Sequence, residues 1–338
     1  MEKVRFQTKL NNSNNDNNFR ELFIRHPNNQ IFTVDDLPYP AHTIMNPAAA
    51  LFHNKTLLLA RVEDRRGFSH LTKAISDDGI SNWKVDSRPT LESEPDEHPE
   101  ELWGIEDPRI TWLEEKGKWA VTYTAYSRGG PLVALALTDD FVHFDRLGPV
   151  TPAFDKDAAL FPRRINGKWA LIHRPITTNY VPGSHIWLSY SDDLIHWGDR
   201  RVLMHARRGG WWDGGKIGLS APPLETAAGW LMLYHGVRQT AAGAIYRVGL
   251  ALLDLEDPHH ILHRSDEWIF GPREWYERVG DVADVVFPCG WIYDPKTGLV
   301  KMYYGGADTC IALATAKLSE LLDYVKRCPE PPESDDFY

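Results

Sequence analysis

Lys116-Gly-Lys-Trp-Ala-Val-Thr-Tyr123, followed by Ala136-Leu-Thr-Asp-Asp140 and Phe144, is the stretch on which the fold turns. A Gly-containing turn opens a short apolar and aromatic run, and an alternating strand then ends in an acidic turn with an aromatic residue just beyond it. That is hairpin chemistry. The apolar run returns as Leu57-Leu-Leu-Ala-Arg61, Trp169-Ala-Leu-Ile-His173, Trp230-Leu-Met-Leu-Tyr234 and Val300-Lys-Met-Tyr-Tyr304. The turns Asn166-Gly-Lys168, Ala228-Gly229 and Thr297-Gly298 precede the last three of these. The acidic turn returns in Ala74-Ile-Ser-Asp-Asp78 with Trp83 and in Leu188-Ser-Tyr-Ser-Asp-Asp193 with Trp197, and in weaker form in Ala251-Leu-Leu-Asp254 and Ala314-Thr-Ala-Lys317. Five copies at a period of roughly 50–70 residues, each with several short strands, predict an all-β, five-bladed β-propeller. A generic β-sandwich accounts less well for two signals that recur together and in order. Five blades leave a narrow axial funnel, so a site there draws residues from every blade.

The bulk numbers narrow the function. A formal net charge of −10 argues against a nucleic-acid partner, which needs a basic face. The 13 Trp, 13 Tyr and 13 Phe suit strand cores and also supply flat platforms for sugar rings. Cys289, Cys310 and Cys328 show no CxxC spacing and no Cys/His ligand set, so no metal site is expected and a reducing compartment fits. Met1 to Asn18 is polar and Asn-rich, without the apolar core of a secretory signal, and no run of about 18 apolar residues exists. These features lead us to expect a soluble, cytoplasmic protein with no membrane partner. The expected organisation is a loosely attached leader at 1–18, a single propeller domain at 19–328 and an acidic, Pro-rich tail at 329–338. Within it, Phe19 to Ala41 reads as an extended approach to the first strand.

Two sets of residues stand out as chemistry. Gly104-Ile-Glu-Asp-Pro-Arg109 opens the second blade, and Pro108 biases Asp107 toward extended geometry at a strand entrance. The second set is basic. Lys156 lies ahead of the third blade's inner strand, read at Trp169–His173, and Arg174 ends it; Lys216 and His235 hold comparable places in the fourth blade. A basic residue at the end of an apolar strand is unfavourable unless it faces a polar cavity. Against the overall negative charge, the four suggest an anion pocket on the axis, with no second catalytic carboxylate beside it.

With these motifs in place, the sequence resembles glycoside hydrolase family 130 over Phe19 to Val325. The resemblance is carried by Gly104-Ile-Glu-Asp-Pro-Arg109, Leu160-Phe-Pro162 with His173-Arg-Pro175, Gly215-Lys-Ile-Gly218, Tyr234-His-Gly236 and Tyr304-Gly-Gly-Ala-Asp308. It implies inverting phosphorolysis of β-mannosides to α-mannose 1-phosphate, with inorganic phosphate as co-substrate and no other cofactor. By the same resemblance Asp107 is the general acid, relaying its proton through a mannose hydroxyl, and Lys156, Arg174, Lys216 and His235 hold phosphate. Some relatives carry Arg at the position of Lys156; the lysine keeps the charge but lacks the bidentate fork of Arg. Asn46, Arg61 and Asp308 match mannose-binding positions, with Tyr246 and Phe287 toward the acceptor. Assembly as a homo-oligomer is compatible with the resemblance.

The physics of the reaction agrees. An inverting hydrolase needs an acid and a base that activates water, whereas a phosphorylase brings an anionic nucleophile and needs one acid and a cationic cradle. Three other readings compete. A β-mannosidase of the same family would carry acids in place of the basic set. An arabinan- or xylan-cleaving propeller would use three separated acids, with Glu225 and Asp308 enlisted. A non-catalytic carbohydrate-binding propeller would tolerate loss of Asp107.

Overall fold

The structure, a computed structural model, describes residues 20–176 and 183–331. The leader expected at 1–18 lies outside the described residues, as do residues 332–338 of the expected tail. Five antiparallel sheets follow one another along the chain and form a five-bladed β-propeller. The first blade comprises Thr43–Phe52, Lys55–Glu63, Ser69–Ser76 and Lys84–Val85; the second comprises Ile105–Leu113, Lys118–Ser127, Gly130–Thr138 and Asp145–Pro149. Asp155–Leu160, Trp169–Pro175, Ile186–Ser191 and Gly198–Met204 make the third blade. The fourth is Lys216–Leu219, Gly229–Thr240, Gly243–Leu253 and Ile261–Arg264, with Leu224–Thr226 beside its second strand. Val286–Asp294, Leu299–Gly306 and Cys310–Lys317 make the fifth.

The apolar runs that reveal the repeat are the second strands of the blades, not the innermost ones. Trp169–Pro175 pairs on one side with Asp155–Leu160 and on the other with Ile186–Ser191, so the axis-facing strand of the third blade is Asp155–Leu160. Lys156 therefore sits inside the inner strand, and Arg174 sits opposite it on the second. Both faces of a second strand pack against neighbouring blades, as Trp169 and Leu171 do against the second blade and Ala170 and Ile172 against the fourth, so it reads as a continuous apolar run. His235, expected at the end of its strand, lies in the middle of Gly229–Thr240.

The acidic turns have a common cause. Oδ1 of Asp78, Asp140 and Asp193 each accepts the backbone N–H groups two and three residues on, at 2.8 Å. This Asx turn lets the chain leave the third strand and start the fourth. Trp83 and Trp197 close it by donating from Nε1 to Ile80 O and Leu194 O.

Neighbouring blades share their cores. Leu57, Leu59 and Leu71 of the first blade pack in one buried cluster with Val121, Tyr123 and Ala134 of the second. Each leucine or valine so removed from water contributes about 1.5–3 kcal/mol. The approach segment forms the two short strands Ile24–Arg25 and Phe32–Thr33, and both pair with Cys310–Lys317, the last strand of the fifth blade. The chain's beginning thus completes its final blade. The helix Leu318–Val325 packs Leu321 and Val325 into the core between the fourth and fifth blades. No helix among the described residues is long and apolar enough to cross a membrane.

Candidate active site

The inner strands of the first three blades share one irregularity. Their register slips between Met45 and Ala48, between Glu106 and Arg109, and between Lys156 and Ala159. The residue at each slip is left-handed: Asn46 at φ 47°, Asp107 at 48° and Asp157 at 54°. A β-bulge re-aims the side chain at its apex, and Asn and Asp tolerate this region better than most residues. Asp107 is therefore not extended, as Pro108 had suggested. Proline disfavours the right-handed region for the residue before it, and the bulge uses the left-handed one. Three polar side chains, one per blade, are delivered to the same end of the funnel.

Asp107 is buried. Its Oδ1 accepts from Asn46 Nδ2 at 2.9 Å and from Arg61 Nη1 at 3.3 Å. Arg61 also reaches Glu106 at 3.3 Å and Glu63 at 3.4 Å, while Lys156 Nζ donates to Glu106 Oε2 at 3.0 Å. Burial alone would raise the Asp107 carboxyl, but Arg61, Lys156 and Arg109 together hold it below its ordinary value. Burial works against the Lys156 ammonium, yet Glu106 and Asp107 leave it above the usual lysine range. Asp107 is thus an anion in a cationic frame.

The second half of the site centres on Asp157, which sequence reasoning missed. Arg174 grips Asp157 Oδ2 with Nε at 2.8 Å and Nη2 at 2.7 Å. His235 Nε2 lies 3.4 Å and Arg109 Nη2 3.5 Å from the same carboxylate, through Oδ2 and Oδ1 respectively. Burial opposes its ionisation, but Arg174, His235 and Arg109 hold Asp157 well below the usual carboxylate range. Arg109 is itself fixed, donating to the carbonyls of Asp107, Leu219 and Ser220. Two expectations are corrected here. Carboxylates do stand beside the basic set, Asp157 against Arg174 and Glu106 against Lys156. His235 is not a ready cation: burial lowers it, and Asp157 does not fully offset this. The signal that could have found Asp157 is its repeat position, equivalent to Asn46 and Asp107 at the start of each inner strand.

The remaining candidates lie on the fourth and fifth blades. The Phe287 ring lies tilted at 4.8 Å from the His235 ring and 5.6 Å from the Arg109 guanidinium carbon, and Tyr246 lies 6.0 Å from His235. Lys216 is half-buried, its Nζ 5.1 Å from the Tyr246 ring centre. Asp308 is left-handed at φ 55° in the fifth blade's hairpin, and its backbone O accepts from Thr43 Oγ1 at 2.7 Å. Burial and then the nearby Asp107 charge push its carboxyl up to about 7, against Arg61. The groups spaced to hold a metal ion among the described residues are Glu94, Glu97 and His98, and His98, Glu100 and Glu101; none of the site residues above belongs to them.

Five blades, a buried acid at an Asp-Pro bulge and a frame of arginines and lysines constitute an architecture seen elsewhere. Residues 21–327 match the family model of glycoside hydrolase family 130, described as beta-1,4-mannooligosaccharide phosphorylase. The chain belongs to glycoside hydrolase family 130. It is thus an enzyme of the mannoside phosphorylase family. Over 91% of this chain and 92% of the relative, it is 33% identical to the beta-1,4-mannooligosaccharide phosphorylase of Ruminococcus albus. It is 34% identical to the 1,2-beta-oligomannan phosphorylase of Thermoanaerobacter sp. over 75% of this chain and 80% of that one. The solved beta-1,2-mannobiose phosphorylase of Listeria innocua, in complex with beta-1,2-mannobiose, superposes with a TM-score of 0.81. It is 29% identical, covering 90% of this chain and 99% of that structure. This family-130 chain thus resembles enzymes of both linkage types.

Proposed function

We propose that this family-130 enzyme cleaves β-mannosides by inverting phosphorolysis and releases α-mannose 1-phosphate. The observation that supports it is the pairing of one buried acid, Asp107, with Lys156, Arg174 and Lys216 around the same end of the funnel. In this reading Arg174 and Lys156 hold the phosphate, His235 donates a hydrogen bond to it and Lys216 meets it from the rim. Asn46, Arg61 and Asp308 hold the mannosyl ring, and Tyr246 and Phe287 face the acceptor. A phosphate oxygen bonds to the anomeric carbon, the glycosidic bond breaks, and a proton originating at Asp107 goes to the leaving oxygen. Arg61, Lys156 and Arg109 favour the ionised form of Asp107, so it must gain that proton before it can give it. A bound phosphate dianion beside Lys156 and Arg174 offsets the charges that hold Asp107 low, and so favours its protonation. The nucleophile thereby prepares the acid.

The experiment is a product assay on β-1,4- and β-1,2-linked mannosides with and without phosphate. Sugar phosphate should dominate when phosphate is present, and free mannose should form very slowly without it. Asp107→Asn should remain folded and lose activity by about a thousandfold in both directions, which share one transition state. Free mannose released at a rate indifferent to phosphate would make the protein a mannosidase.

A further inference from the structure

Lys156 and Arg174 belong to different strands, and one ladder position pairs them: Lys156 on the inner strand of the third blade faces Arg174 on the second. That position stands almost alone. On one side the bulge breaks the register between Lys156 and Ala159. On the other side Asp155 faces Pro175, which has no N–H to give to the ladder. Beyond it, Ile176 N donates to Phe154 O at 2.7 Å. The two cations are therefore carried by a short, interrupted stretch of backbone pairing, and their mutual placement needs another restraint.

Buried side chains supply one. Asp155 Oδ1 accepts from the backbone N–H of Arg174 at 3.1 Å, and its Oδ2 lies 2.6 Å from His173 Nδ1. His173 Nε2 lies 2.7 Å from Ser189 Oγ on the third strand. Beside a carboxylate, Nδ1–H is the donor, which leaves Nε2 to accept from the serine hydroxyl. The order Asp, His, Ser is that of a nucleophile relay. Ser189 is fully buried, however, with Asp155 2% and His173 1% exposed, so no substrate reaches it. The three side chains link three strands instead. Asp155 precedes Lys156 and His173 precedes Arg174, so the shortest link, Asp155 to His173, joins the two backbones one residue from each cation. Consecutive strand residues alternate faces, so His173 holds its strand without occupying the face that Arg174 uses.

We propose that the buried Asp155–His173 pair positions the cations that receive the nucleophile: it sets Lys156 and Arg174 at the spacing that holds phosphate and touches no substrate itself. This rests on the function proposed above. The test uses two amides of different reach. In His173→Asn the amide nitrogen takes the place of Nδ1 and keeps the bond to Asp155. In His173→Gln the amide reaches the place of Nε2, so it keeps Ser189 and loses Asp155. Phosphate KM should rise about tenfold or more in His173→Gln, with the mannoside KM within about twofold, and should stay within about threefold in His173→Asn. A merely structural role would move both KM values together or make the two amides equivalent in phosphate KM, and either result would overturn the proposal. Should either variant fail to fold, Asp155→Ala decides. Loss of a negative charge near the cradle would by itself tighten phosphate binding. A phosphate KM raised about tenfold in Asp155→Ala therefore supports the positioning role, and an unchanged or lowered one overturns it. If the wild type forms no sugar phosphate, the function proposed above fails, and calorimetric titration of inorganic phosphate into the same proteins still decides. Weaker binding by His173→Gln than by His173→Asn supports the pair; equal binding, or none by any of the proteins, overturns it.

Discussion

Asp308 gives the site a pH dependence that can be read in stability. Its carboxyl is pushed up to about 7 by burial and by the Asp107 charge, whereas an aspartate in the unfolded chain titrates near about 3.9. Between about pH 4 and pH 7 the folded protein keeps a proton that the unfolded chain has released. Stability from this group therefore falls as the pH rises through that window and levels off above it. Asp308→Asn removes the titration. The difference in Tm between variant and wild type should move in the variant's favour from pH 5 to pH 8, by thermal unfolding at both. A pH-independent difference would mean that Asp308 is ionised throughout. The individual site residues were unevenly legible. Asp107 is flanked by Pro108 and Arg109, and Arg174 and His235 follow apolar runs, so each contrasts with its neighbours. Asp157 sits in Asp155-Lys-Asp157, where an acid next to a lysine reads as an ordinary surface pair. Its role arises from Arg174, 17 positions away, and from His235 and Arg109 on other blades.

At the level of strands, the bulged inner strands need an opening on the next blade. Gly218 of the fourth blade's inner strand supplies it. A Cβ there would lie 2.4 Å from Asp157 Oδ2 and 2.6 Å from His235 Nε2. Both side chains are buried, and Asp157 is fixed by Arg174, so neither can retreat cheaply. Gly218→Ala should shift the Asp157–His235 pair and, through it, Arg174. The expected result is a phosphate KM raised tenfold or more with a much smaller change for the mannoside. The folding loss should be about 1–3 kcal/mol, as for other overpacked cores. Steady-state kinetics with each substrate varied in turn, together with urea unfolding, checks both. Equal rises in the two KM values would place the fault in general packing. The second and third strands of each blade were readable because turns with Gly or Asp-Asp punctuate them. The inner strands were not: Thr43–Phe52 and Ile105–Leu113 are nearly all buried and have no hairpin turn before them. A bulge has no fixed sequence signature beyond a residue that tolerates positive φ.

For the whole molecule the question is what keeps five blades in a ring. Cys310–Lys317 would leave an open edge on the fifth blade, and Ile24–Arg25 and Phe32–Thr33 cover it from the start of the chain. Open edges are a liability, and closing one non-locally also ties the first blade to the last. This covering was hidden in the sequence, because two-residue strands are too short to show a period. Arg25 fastens it. Its Nε and Nη2 donate to the two oxygens of Glu277 at 2.7 and 2.8 Å, and its guanidinium lies 4.2 Å over the Phe270 ring. Glu277 is fully buried and also accepts from Tyr304 Oη at 2.7 Å. Removing one partner of a buried pair leaves an uncompensated charge, which costs about 3–5 kcal/mol. Arg25→Ala should therefore lose about 3 kcal/mol in urea unfolding. Arg25→Ala combined with Glu277→Gln should regain part of it, because the stranded charge is gone. If the single change costs less than about 1 kcal/mol, the ring does not depend on this clasp, and its closure rests on the backbone pairing of the two short strands and on the apolar seam between the fourth and fifth blades.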